Sequence, residues 1–126
     1  RVCDSAALLA GLQAREQLCS TGLPGGLALL HIREPEPYLF ESMFIVLGRS
    51  VQQIPFGAPD GRPTDLFFLI ACPDPSMHLH CLARVCLIAQ SGELVQNLRN
   101  ASDAQSMYDC LVSAETAALE RTRRAA

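Results

Sequence analysis

The chain has 126 residues, 49% of them hydrophobic and 18% charged, with a formal net charge of −3. This size and composition predict one globular domain and exclude an intrinsically disordered chain. The longest apolar run, over 66–72, is too short for a membrane-spanning helix of roughly 20 residues, and thinly spread basic residues argue against a nucleic-acid-binding face.

The first part of the chain predicts a helix followed by a short strand. Apolar residues recur at helical spacing from the cap candidates Asp4 and Ser5 until Gly22, where the helix should stop. A glycine-rich connection then leads to a short strand over 27–31. The prolines of the sequence "EPEP" forbid a helix, so we expect a loop over 34–37.

Two longer strands are predicted in the middle of the chain. Residues that favour β-structure predict one strand over 38–48, closed by Gly48. After a cluster of turn-forming residues, an almost unbroken apolar run predicts a buried strand over 64–72.

Three helices are predicted for the remaining residues. The first is capped by Ser76 and runs over 77–90, the second covers 92–100, and the last begins with a capping box formed by Ser102 and Gln105. The apolar side of the first of these helices should contain Leu79, Leu82, Ala83, Cys86 and Ala89. This order of elements predicts an α/β fold in which helices cover a small mixed β-sheet.

Six cysteines are present, and none belongs to a CxxC pair. We therefore expect reduced cysteines in a cytoplasmic protein. A zinc site from the two cysteines and two histidines of 72–81 is a weaker hypothesis, because it fits no usual ligand spacing. A nucleophilic Cys19 or Cys72 acting with a histidine also stays open, although nothing in the spacing favours it. The common nucleotide-binding and hydrolase motifs are absent from the sequence.

The histidines offer a candidate site. His31 should end the short strand, and His78 should lie in the first turn of its helix, where the dipole and unpaired N–H groups favour an anion. His80 cannot share a helix face with His78, because residues two apart point about 200° from each other. Two histidines from separate elements near a helix start suggest a phosphoryl-group site, and the alternative is that they are structural residues.

The stretch "AREQLCSTGLPGGLALLH" resembles the region of the phosphorylated histidine in one class of bacterial proteins, the enzyme IIA components of the phosphotransferase system. The class is the fructose, mannitol and nitrogen-regulatory one. Both sequences have Arg-Glu on a helix, then Ser-Thr-Gly, a glycine-rich connection and a short strand ending in histidine. "FGAPDGRPTDLFFLIACP" and "HLHCLARV" are similar to later segments of the same family. The resemblance identifies residues 1–126 as a single enzyme IIA-like domain with that family's α/β fold.

The resemblance implies a role for three residues. His31 matches the histidine that accepts a phosphoryl group from the phosphocarrier HPr or its nitrogen-branch counterpart. His78 matches a second active-site histidine that stabilises the phosphoryl group, and Arg15 matches a basic residue that supplies charge near the site. The implied activity is that of a phosphotransferase, a phosphohistidine carrier that serves a sugar-permease IIB component or a regulatory target. It implies no metal and no cofactor.

The chain departs from the family pattern beside His31 and at its beginning. Leu30 and Ile32 stand where the family usually has proline and often has glycine. The strand and helix that normally precede the Arg-Glu helix are absent, so we expect a fragment or the C-terminal part of a longer protein. The alternative function is a regulatory interaction module that transfers nothing, fused to a DNA-binding domain as in some relatives.

Overall fold

The structure is a computed structural model that describes residues 2–33 and 39–125. In chain order its elements are α1 (Ser5–Leu18), β1 (Gly22–Leu23), β2 (Leu27–Leu30), β3 (Phe44–Ile54), β4 (Thr64–Ala71), α2 (Pro75–Ala89), α3 (Gly92–Asn100) and α4 (Ala104–Ala125). The loop predicted over 34–37 lies outside the described residues. The chain divides into two compact units, Arg1–Leu82 and Ala83–Ala126.

The sheet mixes parallel and antiparallel pairs in the order β1-β2-β4-β3. β2 runs parallel to β4, with Leu30 opposite Leu69, whereas β1 pairs antiparallel with β2 and β3 antiparallel with β4. Within the described residues this mixed sheet and four helices confirm the predicted α/β class. β1 is a two-residue strand that the sequence analysis did not predict.

Two of the predicted strands differ in how well their bounds were anticipated. β4 is close to the prediction, and its alternate residues Leu66, Phe68 and Ile70 are almost fully buried because successive side chains point to opposite faces and one face of β4 is the more buried. The strand predicted over 38–48 is wrong at both ends, since β3 begins only at Phe44 and continues past Gly48. β3 continues through Gly48 because this residue pairs with Phe67 of the antiparallel neighbour β4.

The caps of two helices also correct the prediction. α2 begins at Pro75, so Asp74 and not Ser76 occupies the cap position. The Asp74 carboxylate accepts a hydrogen bond from the Ser76 N–H at 3.2 Å. Proline is favoured at the first helical position because its missing N–H would have no partner there. In place of the predicted capping box, Asp103 accepts from the Ser106 N–H at 2.8 Å before α4.

The second unit contains α3 and α4 together with the end of α2. α3 has the predicted bounds, is capped by Ser91, and buries the side chains Leu94, Val95 and Leu98. None of the helices in residues 2–33 and 39–125 has both the length and the apolar character that crossing a membrane requires.

Candidate functional site

His31 directly follows the last residue of β2, and its ring orientation is set by its own strand. The parallel pairing with β4 continues up to Leu30. The His31 Nδ1 lies 2.9 Å from the Leu29 carbonyl oxygen. Because a carbonyl can only accept, Nδ1 carries the proton of the neutral ring and donates it to this bond. Nε2 therefore keeps the free lone pair that a nucleophile needs.

His78 lies in the first turn of α2, and only 3% of its surface is exposed. Its backbone N–H donates to the Asp74 carbonyl oxygen at 2.9 Å. Neither ring nitrogen has a hydrogen-bond partner among the residues that the structure describes. Burial lowers the pKa of His78, and the neighbouring His31 lowers that pKa further. The His78 ring is therefore neutral at pH 7 and carries an unused donor and an unused acceptor.

The fold brings the two histidine rings together. Their centroids are 5.7 Å apart and their planes are tilted by 50°. A group covalently attached to one ring would thus lie within reach of the other. His80, in contrast, is exposed, in agreement with its expected position on another face of α2.

The third predicted site residue, Arg15, has a different contact. It lies near the end of α1, and its Nη1 donates to the Cys19 carbonyl oxygen at 2.7 Å. Arg15 and Arg33 both border a groove of about 700 Å³ that Ile32 also lines. In the described part of the chain its hydrogen bond is to the helix end and not to either histidine, so its role at the site remains a prediction.

The Arg-Glu and Ser-Thr-Gly motifs shape the chain that leads to His31. The Glu16 carboxylate accepts hydrogen bonds from the Thr21 N–H at 3.1 and 3.3 Å and also from the Thr21 hydroxyl. Thr21 is buried, and its carbonyl oxygen accepts from the Leu29 N–H at 3.1 Å. Glu16 therefore connects the end of α1 to the hairpin that precedes His31.

Ser20 links the same hairpin to the loop between β3 and β4. Its hydroxyl donates to the Phe56 carbonyl oxygen and accepts from the Gly22 N–H at 3.0 Å. A Cβ atom at Gly22 would lie 3.1 Å from Ala58 and 3.1 Å from the Ser20 hydroxyl. The close approach of the loop explains why the motif has glycine at this position.

Asp60 completes this set of contacts from the other side of the loop. Its carboxylate accepts from the Gly25 N–H at 2.9 Å and from the Arg62 N–H at 3.1 Å, and these two bonds lower its pKa. We call the following residues the polar brace: Glu16, Ser20, Thr21 and Asp60. These residues lie in the segments that resemble the enzyme IIA family, but the resemblance implied no role for them. The available signal was that each polar residue lies within two positions of a glycine or of the Arg-Glu pair.

The two residues that flank His31 are held in different ways, Ile32 by apolar contacts and Leu30 by strand pairing. Ile32 is 5% exposed and belongs to an apolar cluster, whose buried members are Leu8, Ile32, Leu39, Phe40 and Ala71. Leu30 ends β2 opposite Leu69. The departure from the family's glycine after the histidine thus places a large buried side chain beside the site.

The cysteines proposed for the alternative sites have other contacts. The Cys72 thiol donates to the Asp74 carbonyl oxygen at 3.4 Å, and the Cys81 Sγ lies 3.0 Å from the Met43 Sδ. Across residues 2–33 and 39–125, no three His, Cys, Asp or Glu side chains are arranged to hold a metal ion.

Comparison with known sequences yields a family and several relatives. Residues 1–114 match the family described as "Phosphoenolpyruvate-dependent sugar phosphotransferase system, EIIA 2". A "Nitrogen regulatory protein" of Bradyrhizobium diazoefficiens is 33% identical over 102 residues, which cover 79% of this chain and 65% of that protein. A protein of the same name from Pseudomonas aeruginosa is 30% identical over 114 residues, which cover 89% of this chain and 72% of that protein. The chain thus spans only about two-thirds of the length of these relatives.

Solved structures agree with this result. The nitrogen regulatory protein IIA-Ntr of Neisseria meningitidis superposes with a TM-score of 0.76 at 28% identity, over 84% of this chain and 72% of that one. The IIA mannitol protein of Escherichia coli superposes with a TM-score of 0.73 over 87% of this chain and 77% of that one. Its identity is 14%, so this second likeness concerns the fold alone.

Proposed function

Because the chain belongs to the EIIA 2 family of the phosphoenolpyruvate-dependent sugar phosphotransferase system, we propose that it is a phosphoryl carrier that uses His31. The donor would be phosphorylated HPr or its nitrogen-branch counterpart. The recipient would be a sugar-permease IIB component or a regulatory protein, and the reaction would take place in the cytoplasm. No metal or cofactor is part of this proposal.

The bond between the His31 Nδ1 and the Leu29 carbonyl oxygen is the observation that carries the proposal. It directs the nucleophilic lone pair to Nε2 before any donor arrives. In the reaction the Nε2 lone pair forms a bond to phosphorus, and the bond from phosphorus to the donor breaks with its electron pair leaving on the donor. Such a transfer depends mainly on alignment and on stabilising charge on the phosphoryl oxygens.

His78 is suited to stabilise that charge. Its buried ring has no hydrogen-bond partner in the described residues and lies beside His31, so its N–H is free to donate to a phosphoryl oxygen. A well-aimed donor of this kind contributes about 2–4 kcal/mol to stabilising the transition state. The beginning of α2 adds the partial positive charge of a helix N-terminus.

Arg15 is proposed to supply positive charge to the phosphoryl group or to the partner. This role requires its guanidinium to leave the Cys19 carbonyl oxygen, to which it is bonded at 2.7 Å. The exposed end of α1 allows such a change, because Leu18 and Cys19 next to it are exposed.

A regulatory module without onward transfer is the second candidate. The two relatives described above carry the name "Nitrogen regulatory protein", and this favours a regulatory use of the domain. The residues beside His31 also differ from the family pattern, at Leu30 and Ile32. In this alternative the partner would bind the domain without receiving a phosphoryl group.

The test is phosphorylation with purified components. We expect wild-type protein incubated with phosphoenolpyruvate, enzyme I and either phosphocarrier to gain one acid-labile phosphoryl group, detected by mass. His31→Ala should gain none, while His80→Ala is the matched control and should behave as wild type because His80 is exposed. No gain in wild type with either donor would exclude the carrier function, and an equal gain in His31→Ala would show that another residue is the acceptor.

A second variant examines the role of His78. His78→Ala should still gain the phosphoryl group but pass it on more slowly, because the transition state loses a donor. An unchanged rate of onward transfer would remove His78 from the site.

A further inference from the structure

Ile32 is buried at a point where it can control the backbone of His31. The strand pairing that fixes the preceding chain ends with Leu30 opposite Leu69. Among the described residues His31 follows without a strand partner, and Ile32 comes next with only 5% of its surface exposed. The reactive residue therefore lies between a hydrogen-bonded anchor and an apolar one.

The apolar anchor fits closely against α1. A Cβ atom at Gly11 would lie 2.9 Å from the Ile32 Cγ2, so the methyl group of Ile32 rests where only glycine leaves room for it. Isoleucine is branched at Cβ and has few rotamers, so it cannot easily move this methyl group aside. Leu8 of the same helix and Ala71 at the end of β4 belong to the cluster that surrounds it.

We propose that Ile32 is a positioning residue for His31, and this inference rests on the phosphoryl-carrier function proposed above. Rotation of the His31 backbone would have to break the pairing at Leu30 or withdraw Ile32 from the apolar cluster. Ile32 thereby keeps Nδ1 on the Leu29 carbonyl oxygen and Nε2 toward the donor. A displacement of about 1 Å at a reacting atom can lower a rate on the order of 10²-fold.

The test compares two truncations in one cluster. Ile32→Ala and Leu8→Ala each remove a buried aliphatic side chain, but only Ile32 adjoins His31. In single-turnover transfer from the phosphorylated phosphocarrier, Ile32→Ala should be at least about tenfold slower than wild type, while Leu8→Ala stays within about threefold. Ile32→Val, which keeps the Cγ2 methyl group, should restore the rate to within about threefold of wild type.

NMR spectroscopy tests the positioning role of Ile32 separately from the carrier function. Imidazole nitrogen NMR of wild type should show His31 as a single Nδ1–H tautomer at pH 8. Ile32→Ala should show a mixture of tautomers, and Leu8→Ala should not. If wild type gains no phosphoryl group, the carrier function fails, yet these spectra still decide whether Ile32 orients the ring.

Gly11→Ala covers the case in which Ile32→Ala does not fold. The added methyl group must displace Ile32, whereas the same change at Gly92 in α3 meets none of the surrounding described residues within 4 Å. We expect mixed His31 tautomers and at least threefold slower transfer in Gly11→Ala, and neither effect in Gly92→Ala. Wild-type tautomer and rate in both Ile32→Ala and Gly11→Ala would overturn the proposal, as would equal losses in Leu8→Ala and Ile32→Ala.

Discussion

The two histidines of the candidate site are held in opposite ways. The His31 ring is committed to the Leu29 carbonyl oxygen and follows a segment whose hydrogen bonds connect it to α1 and to the β3–β4 loop. The His78 ring is buried, and neither of its nitrogens has a partner among the described residues. The orientation of the His31 ring is thus fixed in advance, whereas the hydrogen-bonding atoms of the His78 ring stay available.

This difference is what a transfer site requires of two neighbouring groups. A nucleophile must present one defined atom, so its other nitrogen is best occupied by a fixed partner. A stabilising group must bind charge that exists only during the reaction and in the phosphorylated state, so its donor must stay unoccupied before then. An unpaired buried polar group is otherwise unfavourable, by about 1–3 kcal/mol.

The largest effect is expected from breaking the polar brace that precedes His31. Glu16→Ala leaves the N–H and hydroxyl of the buried Thr21 without their acceptor. We expect the free energy of unfolding to fall by about 2–3 kcal/mol, measured by urea denaturation. The control Gln17→Ala changes an exposed residue of the same helix and should alter it by less than about 0.5 kcal/mol. Equal effects of the two variants would show that Glu16 holds nothing in place.

Several elements of the fold follow from local chemistry. The cap Asp4 and the bounds of α3 were predicted correctly, because capping and helical periodicity depend on neighbours within one helical turn. β4 was also anticipated, because a short and almost unbroken apolar run between turn-forming residues is typical of a buried strand. The proximity of His31 and His78 follows from the family resemblance and from the short strand directed at a helix start.

The remaining features depend on contacts between residues distant in sequence. Gly48 continues β3 because Phe67 pairs with it, and no local signal shows that pairing. On α2, Leu79 is 68% exposed while His78 is 3% exposed, which reverses what their hydropathy predicts. The predicted apolar side of α2 included Leu79, because the residue pattern of a helix does not show which neighbours surround each of its sides. The same limit hid the fit of Ile32 against α1.

The Thr64 hydroxyl offers a comparison with the His78 ring, because it is another buried polar group that lacks a partner among the described residues. The Thr64 hydroxyl oxygen, in a fully buried residue, also has no hydrogen-bond partner in the described ranges, yet Thr64 lies at the start of β4 and outside the candidate site. Thr64→Val keeps the shape and removes the unpaired atom, so the free energy of unfolding should rise by about 1 kcal/mol. Phosphoryl gain by His31 should be unchanged. A loss of stability would mean that the hydroxyl has a partner, and it would weaken the parallel with His78.

The smallest change in stability at pH 8 is expected for a substitution of His78 itself, and this change should grow toward low pH. His78→Leu exchanges a buried ring, which makes no hydrogen bond within the described residues, for a side chain of similar size. At pH 8 the free energy of unfolding should therefore change by less than about 1 kcal/mol. Burial and His31 lower the His78 pKa in the folded protein below that of the unfolded chain. As the pH falls through the usual histidine range near 6.5, the unfolded chain gains a proton that folded His78 resists.

Wild-type stability should therefore decrease toward low pH by an amount that His78→Leu does not share. The stability difference between the two proteins should widen in favour of the variant below pH 6.5 and level off below the lowered pKa of folded His78. Urea denaturation from pH 8 to 5 measures it, with His80→Leu as the exposed control. Parallel pH profiles for wild type and His78→Leu would mean that the ring has a partner in solution. The contrast between a committed His31 and an available His78 would then be lost, because both rings would already have hydrogen-bond partners before the proposed phosphoryl transfer.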